Sequence, residues 1–107
     1  MPELKINPDL KDFQEYVKEL EIERGFAPQT IIDKCLLMGE EMGELFKAVR
    51  KSEGLLVDAA SDFSEIGDEL ADIFIYVCAI ANRKNIDLEA AFRAKEEKNK
   101  KRTWKAI

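Results

Sequence analysis

Histidine is absent from the 107 residues. This removes imidazole as a general acid, base or metal ligand, and with it His-containing zinc sites and the Glu-x-x-His element of di-iron bundles. Cysteine is scarce: Cys35 and Cys78 are far apart and lack any Cys-x-x-Cys spacing. Both fall inside expected helices and read as buried free thiols rather than a disulfide or redox pair. Met1 to Leu10 contains no apolar core behind a basic segment, so there is no signal-peptide pattern and a cytoplasmic protein is expected. The most apolar stretch, Leu70 to Ala81, is 12 residues long, too short to cross a bilayer. A basic excess is also missing. The formal charge of -5 disfavours extended nucleic-acid duplexes, and no stable nucleic-acid complex is expected.

With 36% charged and 46% apolar residues, the composition is that of a soluble globular chain, read as one domain over residues 1–107. Apolar positions recur at helical spacing, and no strand pattern, internal repeat or low-complexity tract competes. Asn7-Pro8 reads as a cap and first-turn proline for a helix over about residues 8–23, carrying Leu10, Phe13, Val17 and Leu20. A second helix is expected from Pro28 to the Gly54 stop, with Ile31, Ile32, Cys35, Met38, Met42, Leu45, Phe46 and Val49 as its apolar positions. Asp62 and Glu65 resemble a capping box for a third helix running to about Lys84. Apart from Asp72, its Leu70 to Ala81 segment is apolar on every side, which predicts a buried element. Asn85 to Asp87 interrupts it, and Leu88 opens a fourth helix that ends in the basic segment NKKR. The fold class is therefore all-α: a four-helix bundle-like subunit whose third helix is too apolar for three short neighbours to cover, completed by a second chain.

Two acidic pairs carry the chemistry. On the second helix, Glu41 and Glu44 lie about 60 degrees apart. On the same wheel Leu37, Leu45 and Ala48 surround Glu41, which places it among apolar neighbours. The third helix repeats the spacing with Glu69 and Asp72. Antiparallel packing brings these four carboxylates face to face, where their repulsion and burial require compensation. A hard divalent cation supplies it, and oxygen-only ligands suit magnesium or manganese. The alternative is a solvated acidic face. Glu40, Glu65 and Asp68 are peripheral candidates for an outer role. Gly39 and Gly43 each cost roughly 1 kcal/mol of helix propensity relative to alanine.

The C-terminal stretch Lys95 to Lys105 holds six basic and two acidic residues, whereas Glu40 to Asp72 holds ten acidic and three basic. Metals and cations together can neutralise a polyphosphate that carboxylates alone would repel. Lys95, Asn99 and Arg102 follow one side of the fourth helix and are candidates to grip phosphate or sugar oxygens; the other reading is a frayed basic helix end. Trp104 is either a base-stacking or a docking residue. Arg24 and Phe26 stand at the first helix connection, where one can face a nucleotide and the other anchor the turn.

Glu40-Glu41-Met42-Gly43-Glu44 followed by Glu69-Leu70-Ala71-Asp72, with 24 residues between Glu44 and Glu69, resembles the pattern of the MazG-like nucleotide pyrophosphohydrolases, part of the all-α NTP pyrophosphatase superfamily. The likeness extends through ERGF at Glu23 to Phe26, the ADIFIYV run and the Lys95/Asn99/Arg102 register. It implies hydrolysis between the α and β phosphates of a nucleoside triphosphate, an NTP or dNTP, to a monophosphate and pyrophosphate with Mg²⁺, for which Mn²⁺ can substitute. By carry-over, Glu41, Glu44, Glu69 and Asp72 become the metal ligands and Lys95 and Asn99 substrate contacts; on chemical grounds Glu41 or Glu44, rather than the peripheral Glu40, is the carboxylate expected also to orient the attacking water or accept its proton. The resemblance further implies a homodimer or homotetramer with helices from more than one chain around each pocket, and is compatible with a house-cleaning role. The competing reading from the residues is a non-catalytic helical nucleotide-binding or protein-interaction module that keeps its acidic pairs for assembly.

Overall fold

The computed structural model describes residues 1–60 and 64–106. Four helices follow one another: α1 (Leu10–Glu23), α2 (Ile31–Ser52), α3 (Ile66–Arg83) and α4 (Leu88–Asn99). No helix among the described residues is long and apolar enough to cross a membrane.

The starts of the helices differ from the expected caps. Asp9, not Asn7, caps α1, in a reciprocal capping box with Asp12; Asn7 adopts a left-handed φ of 56° in the turn before it. Pro28 lies ahead of α2, whose cap is Thr30 in a second capping box with Asp33. In both cases a side-chain oxygen answers an otherwise orphaned first-turn N–H, an advantage a proline at the first helical position lacks. Glu65 is itself the N-cap of α3 and makes no side-chain cap bond; Asp62, the other half of the expected box, lies outside the described residues. The ends follow one rule. After α1, α2 and α3, Gly25, Gly54 and Asn85 take φ values of 76°, 74° and 53°, and the next N–H returns to a carbonyl in the last turn: Phe26 to Glu21, Leu55 to Arg50 and Ile86 to Ala81. These left-handed caps satisfy terminal carbonyls and turn the chain.

The packing is centred on α3, which lies against both α1 and α2, while α4 rests along α1. Val17, Leu20, Cys78 and Ala79 form the buried core, with Phe13, Tyr16, Phe74, Ile75 and Leu88 packed around it. The Phe13 and Phe74 rings meet edge to face, centroids 5.3 Å apart, a favourable aromatic geometry. Gln14 fastens α1 to the turn before α4: its amide donates to Asn82 Oδ1 and to the Ile86 carbonyl and accepts from the Leu88 N–H, while Asn82 donates back to the Gln14 carbonyl.

This core is smaller than the sequence suggests. Within Leu70 to Ala81, only Cys78, Ala79 and Ala81 are fully buried and Leu70 is 52% exposed, because α1 and α2 cover only part of the α3 circumference. On α2, Ile32, Leu36 and Phe46 are all 60% exposed or more. Cys35 is exposed rather than buried, and only Cys78 is an interior thiol; desolvation pushes that thiol up to about 11. The radius of gyration, 16.8 Å, exceeds the roughly 13 Å expected for a compact domain of this length. The chain forms an open helical bundle.

Candidate active site

The α2 face that meets α3 carries Lys34, Glu41 and Ala48 at intervals of seven residues, with Lys34 and Ala48 buried. Seven residues return almost to the same side of a helix, so this row faces α3 throughout. The opposing α3 row contains Glu69, Asp72, Tyr76 and Ala79, running the other way. Glu41 therefore meets Glu69 and Asp72, while Lys34 meets Tyr76, its ammonium 5.5 Å from the ring centroid.

Ligand oxygens of Glu41, Glu69 and Asp72 all lie within 4.8 Å of one another. Glu69 is 5% exposed; Ser64 donates a hydroxyl hydrogen bond to its Oε1, which holds the carboxyl below its ordinary range, helped by the adjoining Glu41 carboxyl. Its Oε2 is buried without a hydrogen-bond partner among the described residues. Glu41 is forced in the other direction, up to about 7, first by the adjoining Glu69 carboxyl, then by desolvation and by the charges of Glu69, Asp72 and Glu44. Repulsion and desolvation together thus favour the protonated form of Glu41. A buried carboxylate oxygen without a donor, beside two further carboxylates, fits a hard divalent cation, which would replace that proton.

Glu44 contributes its charge to this field but is outside the close trio, and its carboxylate is paired with Lys47 at 3.7 Å. Asp68 and Glu65 are exposed at the start of α3, and Glu40 is exposed on α2. Burial, then the negative charges of Glu41, Asp72 and Glu40, raises the Tyr76 phenol above its usual value.

A cavity of about 160 Å³ opens beside the trio, lined by Glu41 and Asp72 at one end and by Arg24, Phe26, Lys34 and Tyr76 toward the other. Both residues of the first connection, Arg24 and Phe26, thus face it. Lys95, Asn99 and Arg102 do not line it. Lys95 is exposed, Asn99 donates to Glu96, and the Arg102 guanidinium stacks 4.5 Å from the Trp104 ring centroid. Within one chain α4 is held on α1, away from the carboxylates.

Sequence reasoning missed the buried ion cluster behind this cavity. Arg83 donates through both terminal nitrogens to Glu21, at 2.8 and 2.7 Å, and Lys34 Nζ lies 3.1 Å from Glu21 Oε2. Arg83 also donates to the carbonyls of Phe26 and Gln29, fixing the α1–α2 connection to the end of α3. The signal was present: Lys34 falls about 20 degrees from Glu41 on the helical wheel, and Glu21 follows Val17 and Leu20 on the apolar side of α1.

The description MazG nucleotide pyrophosphohydrolase domain matches residues 28–106. Two crystal structures of iMazG from Vibrio DAT 722, Ctag-iMazG and Ntag-iMazG, are similar to the chain with TM-scores of 0.67 and 0.66. Each is 30% identical to it, over 87% of this chain and 99% and 95% of the respective relatives. No curated protein sequence matches it.

Proposed function

The chain belongs to the MazG nucleotide pyrophosphohydrolase family, and from that premise we propose that it hydrolyses a nucleoside triphosphate, NTP or dNTP, between the α and β phosphates, yielding a nucleoside monophosphate and pyrophosphate with Mg²⁺. The observation that carries this reading is the Glu41, Glu69 and Asp72 trio with its donorless buried oxygen. These three residues would hold the cation, with Glu44 at the margin; Mn²⁺ offers the same hard-oxygen chemistry. When bound, such a cation supplies an acidified water and neutralises charge on the phosphoryl oxygens.

The protein groups have separate tasks. Glu69, fixed by Ser64, is the rigid member of the trio. Glu41, whose carboxyl exchanges its proton near neutrality in the metal-free chain, and Glu44 are the candidates to orient the attacking water and accept its proton. Cavity walls from α1, α2 and α3 exclude solvent from the substrate. Lys95, Asn99 and Arg102 would grip phosphate or sugar oxygens from a second copy, since α4 of the same chain rests on α1. This makes a homodimer or homotetramer of one catalytic module per chain the working assembly, acting in the cytoplasm on the nucleotide pool.

The test is a panel of NTPs and dNTPs incubated with purified protein and Mg²⁺, with monophosphate and pyrophosphate resolved separately. Stoichiometric release of both, abolished by chelation, is expected. Release of orthophosphate, or no turnover of any triphosphate by a folded protein, rejects the reading in favour of a non-catalytic module.

A further inference from the structure

The end of the cavity opposite the carboxylates has a chemistry of its own. Lys34 stands seven residues before Glu41, roughly 10 Å along the helix axis. Its side chain is only 4% exposed, yet it lines the cavity. The ammonium is held by Glu21 at 3.1 Å and lies over the rings of Phe26 and Tyr76, 4.9 and 5.5 Å from their centroids. Glu21 has both oxygens engaged: Oε1 by Arg83, and Oε2 by Arg83 and Lys34. The Glu21 carboxylate thus faces two cations, and Asp33 adds its charge on the Arg83 side.

The consequence is a charged donor, Lys34, at this end of the cavity, beside the Arg24 guanidinium and the Tyr76 phenol. An ammonium has three N–H donors and no acceptor, and Glu21 is already committed. Leu20, Ile75 and Ala79 supply apolar walls, with the aromatic groups of Phe26 and Tyr76 beside them. A phosphate seated here would lie two helical turns from the carboxylates that would hold its cation. Apolar and aromatic walls of this kind suit a flat heterocycle better than a phosphate.

We propose that Lys34 reads the nucleobase, donating to an exocyclic oxo group and so selecting oxo bases such as uracil and hypoxanthine over their amino counterparts, cytosine and adenine. An amino group turned toward Lys34 would oppose donor to donor in a buried site and leave that amino group without an acceptor, a larger penalty than loss of an apolar contact. This inference rests on the triphosphate reading above and specifies the substrate class for that same site.

The experiment compares UTP with CTP and ITP with ATP, pairs that differ at the exocyclic oxo or amino position, with wild-type protein, Lys34→Met and Lys34→Gln. The expected result is a kcat/KM preference of at least about tenfold for the oxo member of a pair, carried mainly in KM. Both variants should bring the ratio to about one, since methionine donates nothing and glutamine both donates and accepts. Circular dichroism establishes that each variant is folded, and the wild-type ratio decides the matter if neither folds. A wild-type ratio near one, a preference for the amino member, or an unchanged ratio in a folded variant overturns the inference. Equilibrium binding of UMP and CMP without metal separates the two readings. If no triphosphate is hydrolysed but UMP binds more tightly and Lys34→Met removes the difference, base reading stands and the hydrolase reading falls; turnover without base preference gives the reverse.

Discussion

Glu41 on α2 and Glu69 on α3 bring carboxyl oxygens within 4.8 Å of each other, and this proximity pushes the two titrations in opposite directions, Glu41 up and Glu69 down. The relationship joins the two acidic motifs across the helix pair and makes the site responsive to both pH and divalent cations.

For the metal-free protein the sign follows from the raised Glu41. An unfolded glutamate titrates near 4.5, whereas Glu41 in the fold is pushed up to about 7. Between these values the native state holds a proton that the unfolded chain has released. Its contribution to stability is therefore complete below pH 4.5 and is lost as pH rises through about 7. Thermal melts in chelator should show this decline. Mg²⁺ should reverse it, raising the melting temperature more at pH 8 than at pH 6 and releasing a proton on binding, as read by calorimetry in buffers of different ionisation enthalpy.

Glu41→Gln and Asp72→Asn remove ligand charge at almost constant volume. Each should lower pyrophosphate release by more than the roughly 10–100-fold typical of losing an outer metal partner, with helix content unchanged. In metal-free protein Glu41→Gln should also abolish the stability loss between pH 4.5 and 7, which a purely catalytic role for the residue would not do. Steady-state kinetics and melts together check both parts.

Glu21→Gln leaves Lys34 and Arg83 buried against a neutral amide. Side chains of Glu21 and Lys34 are 7% and 4% exposed, so water cannot replace the lost charge, and a destabilisation of about 3–5 kcal/mol is expected in denaturant titrations. Burial pulls the Glu21 carboxyl upward, but hydrogen bonds and charges from Arg83 and Lys34 outweigh it and leave it below its ordinary value. Its contribution is therefore present above about pH 4.5 and lost as pH falls through the lowered value. The variant should flatten the acid limb of the stability curve.

Gly43→Ala tests what the second α2 glycine is for. A Cβ built there meets nothing within 4 Å in the single chain, so alanine should stabilise the helix by about 0.5–1 kcal/mol. A loss of stability that grows with protein concentration would instead place another copy against this face of α2.

Helix number, order and stops were legible because they rest on local chemistry. Gly25, Gly54 and Asn85 end helices where the backbone turns left-handed, which suits glycine and, less often, asparagine. The acidic motifs were legible for the same reason: Glu69 and Asp72 share a helix side by spacing alone. Lys34 was not, because a lysine in a charged sequence reads as solvated. Only the wheel shared with Glu41 hinted otherwise, and its partners Glu21 and Arg83 are 13 and 49 positions away in the chain. The cap of α1 went to Asp9 over Asn7 because side-chain geometry discriminates between neighbours that residue type leaves equal.

By itself, the amino-acid order determined an all-helical chain with two carboxylate pairs at helical spacing and a basic end, since turns, caps and periodicity are settled within a few residues of backbone. Tertiary structure decided which carboxylates converge, that Glu44 turns to Lys47, and that the Lys34 ammonium sits buried at the far end of the cavity. Those outcomes depend on the register in which α2 lies against α3, and register is set by packing summed over whole helices rather than by any residue's own preference.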